Sequence, residues 1–332
     1  MKEEKAKTQA PQKNNSFVPM AAALIIFGIA AFYVLYYYRK PDAPIKPTDH
    51  MAHELRNDLP PGKARATLTL EGQQPLVLDS LADGQIAYAG LNTLSKTGNR
   101  LQWKGNTAGA PAMVTLSTPV GGLYTVTLSD GTTVWLNAAS SLQFPETFPA
   151  GSREVALKGQ AYFEIAPGGS QPFVIHTEGM TLGSSSASID LKNYSGEPGA
   201  QITMVNGNAS VSLTGTGTVQ QENHPVTSLN TGDQAFVAQR NSIRVAAVKE
   251  PAYAADWINH QFHFNNDSIT TVMRDLERWF GARVVYEGDI PAATISGKVA
   301  SDIPLSLVLN FLRGTGKAHF RQDNGTVYVT KK

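Results

Sequence analysis

Cysteine is absent from all 332 residues, which excludes disulfides, thiolate metal sites and a cysteine nucleophile. An excess of either charge is also absent. The 28 Lys and Arg balance 27 Asp and Glu, so composition provides neither a nucleic-acid footprint nor a field for acidic substrates. His-Glu-x-x-His, Gly-x-Ser-x-Gly and Walker patterns do not occur. Binding must therefore come from shape and local chemistry.

The chain does have one long apolar run. Phe17 to Tyr38 is 22 residues without a charge. At ~1.5 Å per residue it is long enough for a hydrocarbon core of ~30 Å. Pro19 falls in the first turn, Tyr33, Tyr36, Tyr37 and Tyr38 form an interfacial girdle, and Arg39 and Lys40 stop the run. A cleaved signal peptide would have a shorter apolar region and small residues at its end, so the reading is a single-pass transmembrane helix. Lys2, Lys5, Lys7 and Lys13 precede it and Arg39, Lys40 and Lys46 follow, a balance that leaves orientation open.

The fold class expected is mainly β plus a small α+β domain. Residues 1–16 read as a disordered tail and 17–38 as the membrane helix. Residues 39–61, with Pro41, Pro44, Pro47, Pro60 and Pro61, read as a stiff linker. Residues 62–250 read as a β-rich body of stacked hairpins. Thr67–Leu70 and Leu76–Leu78 echo Thr125–Leu128 and Thr132–Leu136, a weak internal repeat, and the second pair turns at Asp130-Gly131. Further strands are expected at Arg153–Leu157, Ala161–Ile165, Phe173–Thr177, Ile202–Val205, Ala209–Leu213, Gln234–Ala238 and Ile243–Val248. Gly159 is read as a turn or bulge and Asn206-Gly207 as a hairpin turn.

Residues 256–332 read as a C-terminal two-helix β-α-β-β-α-β domain with both helices on one sheet face. Asp267 is expected to cap a helix that carries Ile269, Val272, Met273, Leu276, Trp279 and Phe280 at helical spacing, ended by Gly281. Asp302 and Pro304 are expected to open a second, carrying Leu305, Val308, Leu309 and Leu312 and ended by Gly314. A hairpin crosses Asn324-Gly325.

Candidate chemistry is sparse. His260 and His263 are the tightest histidine pair, but residues three apart on a strand face opposite sides. Thr214-Gly-Thr-Gly217 lacks the strand-then-helix setting of a phosphate cradle and reads as a turn. Glu146, Glu154 and Glu164 share one β-rich block, and a carbohydrate-active β-domain using Glu154 or Glu164 is the enzyme alternative. The expectation is a protein that is not an enzyme, with no catalytic, cofactor-binding or metal residues.

One ordered string of residues carries a resemblance. It begins at Thr118-Pro119 and runs through Leu128-Ser-Asp130-Gly131-Thr-Thr-Val-Trp135-Leu-Asn137-Ala-Ala-Ser140 to Leu142, Phe144-Pro145 and Phe148. Arg153-Glu-Val-Ala-Leu, Gly159-Gln-Ala-Tyr162-Phe163-Glu-Ile165 and Pro172-Phe-Val-Ile175 follow. Trp257, Phe262, Phe264, Arg278-Trp279-Phe280 and Ser296-Gly297-Lys298 continue it. The whole resembles the FecR family of membrane-spanning anti-sigma regulators, with the small C-terminal domain that many of them carry. The motif residues read mostly as scaffold, with Arg153 the polar anchor.

The resemblance implies signal relay. A cytoplasmic N-terminal part would hold an extracytoplasmic-function sigma factor, one helix would cross the inner membrane, and the periplasmic body would meet the signalling domain of a TonB-dependent outer-membrane transporter. Two departures stand out. Only Met1–Ser16 precede the span, and Leu182-Gly-Ser-Ser-Ser-Ala-Ser-Ile189 replaces larger apolar residues with serines. A periplasmic partner or decoy without sigma control is the binding-module alternative.

Overall fold

The computed structural model describes residues 58–88, 91–103, 111–168, 171–214, 226–238 and 242–332. The expected tail, the membrane helix Phe17–Tyr38 and most of the linker lie outside them. Among the described residues no helix is long and apolar enough to cross a membrane.

The body is built from two sheets over one core. In the first, the strand Thr67–Leu70 leads through Met113–Thr118 and Ser140–Pro145 to the first half of Arg153–Glu164, then to Phe173–Thr177 and Met180–Ser184. In the second, Gly122–Thr127 pairs with Thr133–Leu136 across Asp130-Gly131 and leads to the second half of Arg153–Glu164, then to Ala187–Asn193. Alternate residues from both, including Leu68, Leu116, Val134, Leu142, Phe163 and Ile189, fill a common core.

Two strands are shared by both sheets. Arg153–Glu164 is a single strand of 12 residues: its Gln143-facing half lies in the first sheet, and from Gly159 onward it lies in the second. Gly159 has φ +96°, and a Cβ there would sit 2.3 Å from Ser140 Oγ. Gly199–Leu213 is likewise one strand of 15 residues, and it changes sheet beside Gly207, at φ +84°. The expected hairpin at Asn206-Gly207 is therefore corrected to a bend. Asn-Gly supplies the same positive φ to either, but both flanks here already have partners in different sheets.

The C-terminal region departs from the expected single sheet. Gln261–Ser268 pairs with Thr294–Ala300 in one two-stranded sheet, and Arg283–Glu287, Thr326–Lys331 and Ala318–Asp323 make a second of three strands. The first helix, Ile269–Phe280, buries Ile269, Val272, Met273, Leu276, Trp279 and Phe280. Its cap is Ser268, whose hydroxyl accepts from Thr271 N at 3.1 Å, while Asp267 turns back to accept from Asn265 N. Gly281 closes it in the left-handed conformation.

The second helix, Leu305–Gly314, includes Gly314 and ends at Thr315. Its first turn is capped from far away in sequence. Asp58 accepts from Ser306 N at 3.0 Å and Ser306 Oγ at 2.6 Å, and Leu59 O accepts from Leu305 N at 3.1 Å. The end of the expected linker thus packs against this helix, where Asp58 and Leu59 satisfy donors that Asp302 does not.

Candidate functional site

The two cores meet along a seam that is polar on both sides. Leu123 and Ala138 of the body are buried in the C-terminal core. Gly121 N donates to Arg278 O at 2.8 Å, and a Cβ on Gly62 would strike the Trp279 ring at 2.8 Å. Trp279 itself donates from Nε1 to Ser301 O. Close backbone approach, which a side chain would prevent, sets this contact.

From Ser140 inward a hydrogen-bonded chain crosses the seam. Asn137 Nδ2 donates to Gln160 Oε1 at 2.9 Å, and Gln160 Nε2 donates to both carboxylate oxygens of Asp190 at 3.2 and 3.1 Å. Trp257 completes it, donating from Nε1 to Asp190 Oδ1 at 2.9 Å. Trp257 lies in the 3-10 helix Pro251–Asn259, which joins body to C-terminal region, so Asp190 is covered by an element that arrives late in the chain. Burial pushes the Asp190 carboxyl up to about 7, against the pull of Trp257, Gln160 and Lys192.

A second, ionic chain runs alongside. Lys192 Nζ meets Asp275 at 2.7 Å, and Arg278 pairs with both Asp275 and Glu197 while stacking 4.0 Å over the Tyr194 ring. Burial alone would raise the Asp275 carboxyl, but Lys192 and Arg278 outweigh it and hold it below the usual range. A cavity of about 540 Å³ opens beside these groups, with Lys192, Gln201 and Thr203 on the body side and Trp257, Phe262 and Phe264 opposite.

The sequence-predicted residues separate into three places. Asn137, Gly159, Trp257 and Trp279 belong to the seam. Asp130, Gly131 and Arg153 form a knot at one end of the body. Arg153 Nη1 reaches Asp130 Oδ2 at 3.1 Å and Ala166 O at 2.7 Å, Nη2 reaches Gln171 O at 2.7 Å, and the guanidinium lies 5.8 Å from the Phe173 ring centre. Asp130 also accepts from Thr132 N and Oγ1, closing the turn that Gly131 permits at φ +89°. Trp135 packs edge-on to Tyr162 at 5.7 Å, and Phe163 is fully buried in the body core.

Other candidates stay apart. His263 pairs with Asp256 at 2.8 Å, while His260 ends the 3-10 helix with φ 56°. Glu154 accepts from Ser152 and meets His176 at 2.9 Å, in the first sheet, whereas Glu164 lies beyond the bend in the second. Glu146 is buried at the end of Ser140–Pro145. Among the described residues no three His, Cys, Asp or Glu are placed to hold a metal ion.

Sequence reasoning missed Asp190, Lys192, Tyr194, Glu197 and Asp275. Asp190 stands between Ile189 and Leu191, so strand alternation places it on the outer face. Alternation gives that direction and is silent about the cover that the C-terminal region lays over it.

The fold and seam define a class: a two-sheet β body whose shared strands carry a small α+β layer, joined by a buried hydrogen-bonded and ionic seam. Residues 114–210 match the family described as FecR protein, and residues 261–329 match the one described as FecR, C-terminal. The chain belongs to the FecR family. Two crystal structures of a candidate anti-sigma factor from Parabacteroides distasonis, at 1.65 and 2.50 Å resolution, share the fold at TM-score 0.59. They are 24% and 23% identical, and each match covers 66% of this chain and 99% of the other. No curated protein matches the chain.

Proposed function

We propose that the chain is a FecR-type regulator of an extracytoplasmic-function sigma factor that works by protein contact and catalyses no reaction. Its segment Phe17–Tyr38 crosses the inner membrane once, with the N-terminus cytoplasmic and the body from Asp58 onward periplasmic. The body receives its signal from the signalling domain of a TonB-dependent outer-membrane transporter.

Family membership carries this reading, since both family regions occur in order on one chain. The seam supports a relay rather than turnover. Its buried charges are bonded to one another across two packed regions, and Glu154 and Glu164, the glycosidase candidates, sit on either side of a strand bend. The test is binding of the detergent-solubilised whole chain to purified transporter signalling domains encoded in the same genome. Saturable binding by one of them is expected, and no binding by any would overturn the docking step.

A further inference from the structure

The strand Ser242–Ala247 ends the second sheet, paired along one side only among the described residues, with Asp233–Ala238. Val248 N donates to Gly232 O at 2.8 Å, in line with the same antiparallel register. Ladder alternation then turns the N–H and C=O groups of Ile243, Val245 and Ala247 outward, toward the open edge. All but Ile243 in the strand are exposed, and Val245 keeps 42% of its surface accessible although it shares a face with buried Ala235.

Edges of this kind are normally blunted by brevity, bulges, proline or charge. Other edges among the described residues are. Gly84–Tyr88 has a register shift, Leu76–Val77 is two residues long, Thr227–Asn230 is short and polar, and Arg283–Glu287 and Ala318–Asp323 carry charged side chains. Ser242–Ala247 has a regular six-residue register, no proline and one charge, Arg244, which faces exposed Phe236 across the pair. It also leads into the seam, since Ala247, Val248 and Lys249 line the cavity.

We propose that Ser242–Ala247 is a docking edge for an extended segment of a protein partner, added as one more strand of the second sheet. Another extended backbone matches this outward row of N–H and C=O groups bond for bond. The partner segment places apolar side chains beside Ile243 and Val245 and acidic ones beside Arg244, because cross-strand neighbours share a face. A second copy of this chain, paired antiparallel through the same outward residues, would set Arg244 on one face with its own equivalent, which argues for an acidic partner instead. The edge stands on its own geometry, so it can fail while the sigma-factor reading survives.

The probe is a short synthetic peptide alternating valine and glutamate, added to the detergent-solubilised whole chain. Hydrogen exchange at the Ile243, Val245 and Ala247 amides is expected to slow roughly tenfold or more on binding. Val245→Pro removes an outward N–H and is expected to abolish binding without lowering the Tm. Val245→Lys, which keeps the N–H, guards against a proline-specific folding defect and is expected to weaken binding. The proposal is overturned if those amides stay unprotected, if a peptide N-methylated along its pairing edge binds equally well, or if light scattering shows a dimer that Val245→Lys dissociates.

Discussion

Trp257 donates its indole N–H to Asp190 at 2.9 Å, joining the 3-10 helix that enters the C-terminal region to the middle of a body strand. Asp190 is 5% exposed, and among the described residues no cation is paired with it: Lys192 is committed to Asp275. Desolvation dominates its titration and lifts it to about 7. In the unfolded chain it would titrate in the ordinary carboxylate range.

A pH dependence follows, with its sign. A folded carboxyl that holds a proton the unfolded chain has released adds stability below the ordinary carboxylate range, and that stability is lost as pH rises through about 7. Asp275, held low by Lys192 and Arg278, works oppositely, and its contribution is lost as pH falls through its folded value. Chemical denaturation of the whole chain should therefore show stability falling between about pH 4 and pH 7. Asp190→Asn should flatten that slope. Trp257→Phe should cost about 1–3 kcal/mol by leaving one acceptor less well satisfied.

Arg153 is the next test. Its guanidinium serves Asp130 and the carbonyls of Ala166 and Gln171 at once, and it is 7% exposed. Arg153→Ala leaves Asp130 and two carbonyls short of donors and should cost roughly 3 kcal/mol or more. Arg153→Lys should recover little of it, because an ammonium cannot reproduce the planar fork. Thermal unfolding of the two variants decides between charge and geometry.

Gly159→Ala combines two penalties. The residue has φ +96°, and the new Cβ would lie 2.3 Å from Ser140 Oγ, whose hydroxyl accepts from Gln160 N at 2.9 Å. The bend that moves the strand from one sheet to the other would have to shift, at a cost of several kcal/mol. A Tm within a degree or two of the wild type would contradict this account of the shared strand.

The Asp58 cap predicts a local effect. Asp58→Ala should destabilise by about 1 kcal/mol, the usual value of a helix cap, and should raise exchange at Ser306 N and Leu305 N. A global loss of structure, or no change at these amides, would contradict it.

How much was legible in the sequence depended on how local the cause was. Helix faces are set by spacing within the element, so Ile269, Val272, Met273, Leu276, Trp279 and Phe280 could be read directly. The Asp130-Gly131 turn was legible for the same reason. Asn206-Gly207 was not, since its φ suits a hairpin or a bend and only the partners of its two flanks decide. Ser268 displaced Asp267 by one residue, a difference set by the register shift between Phe264 and Asp267. Asp58 and Asp190 were out of reach altogether. One finds its partner 248 positions away and the other 67, and no periodicity encodes such pairs.

The central claim is that this FecR-family chain controls a sigma factor. Its most direct test is transcription from the neighbouring sigma-factor regulon after deletion of the gene and after return of the wild-type copy. The account predicts that deletion changes the regulon's output and that the returned copy restores it. Output that is the same with and without the gene, under inducing and non-inducing conditions alike, would contradict sigma control and leave a periplasmic binding partner in its place.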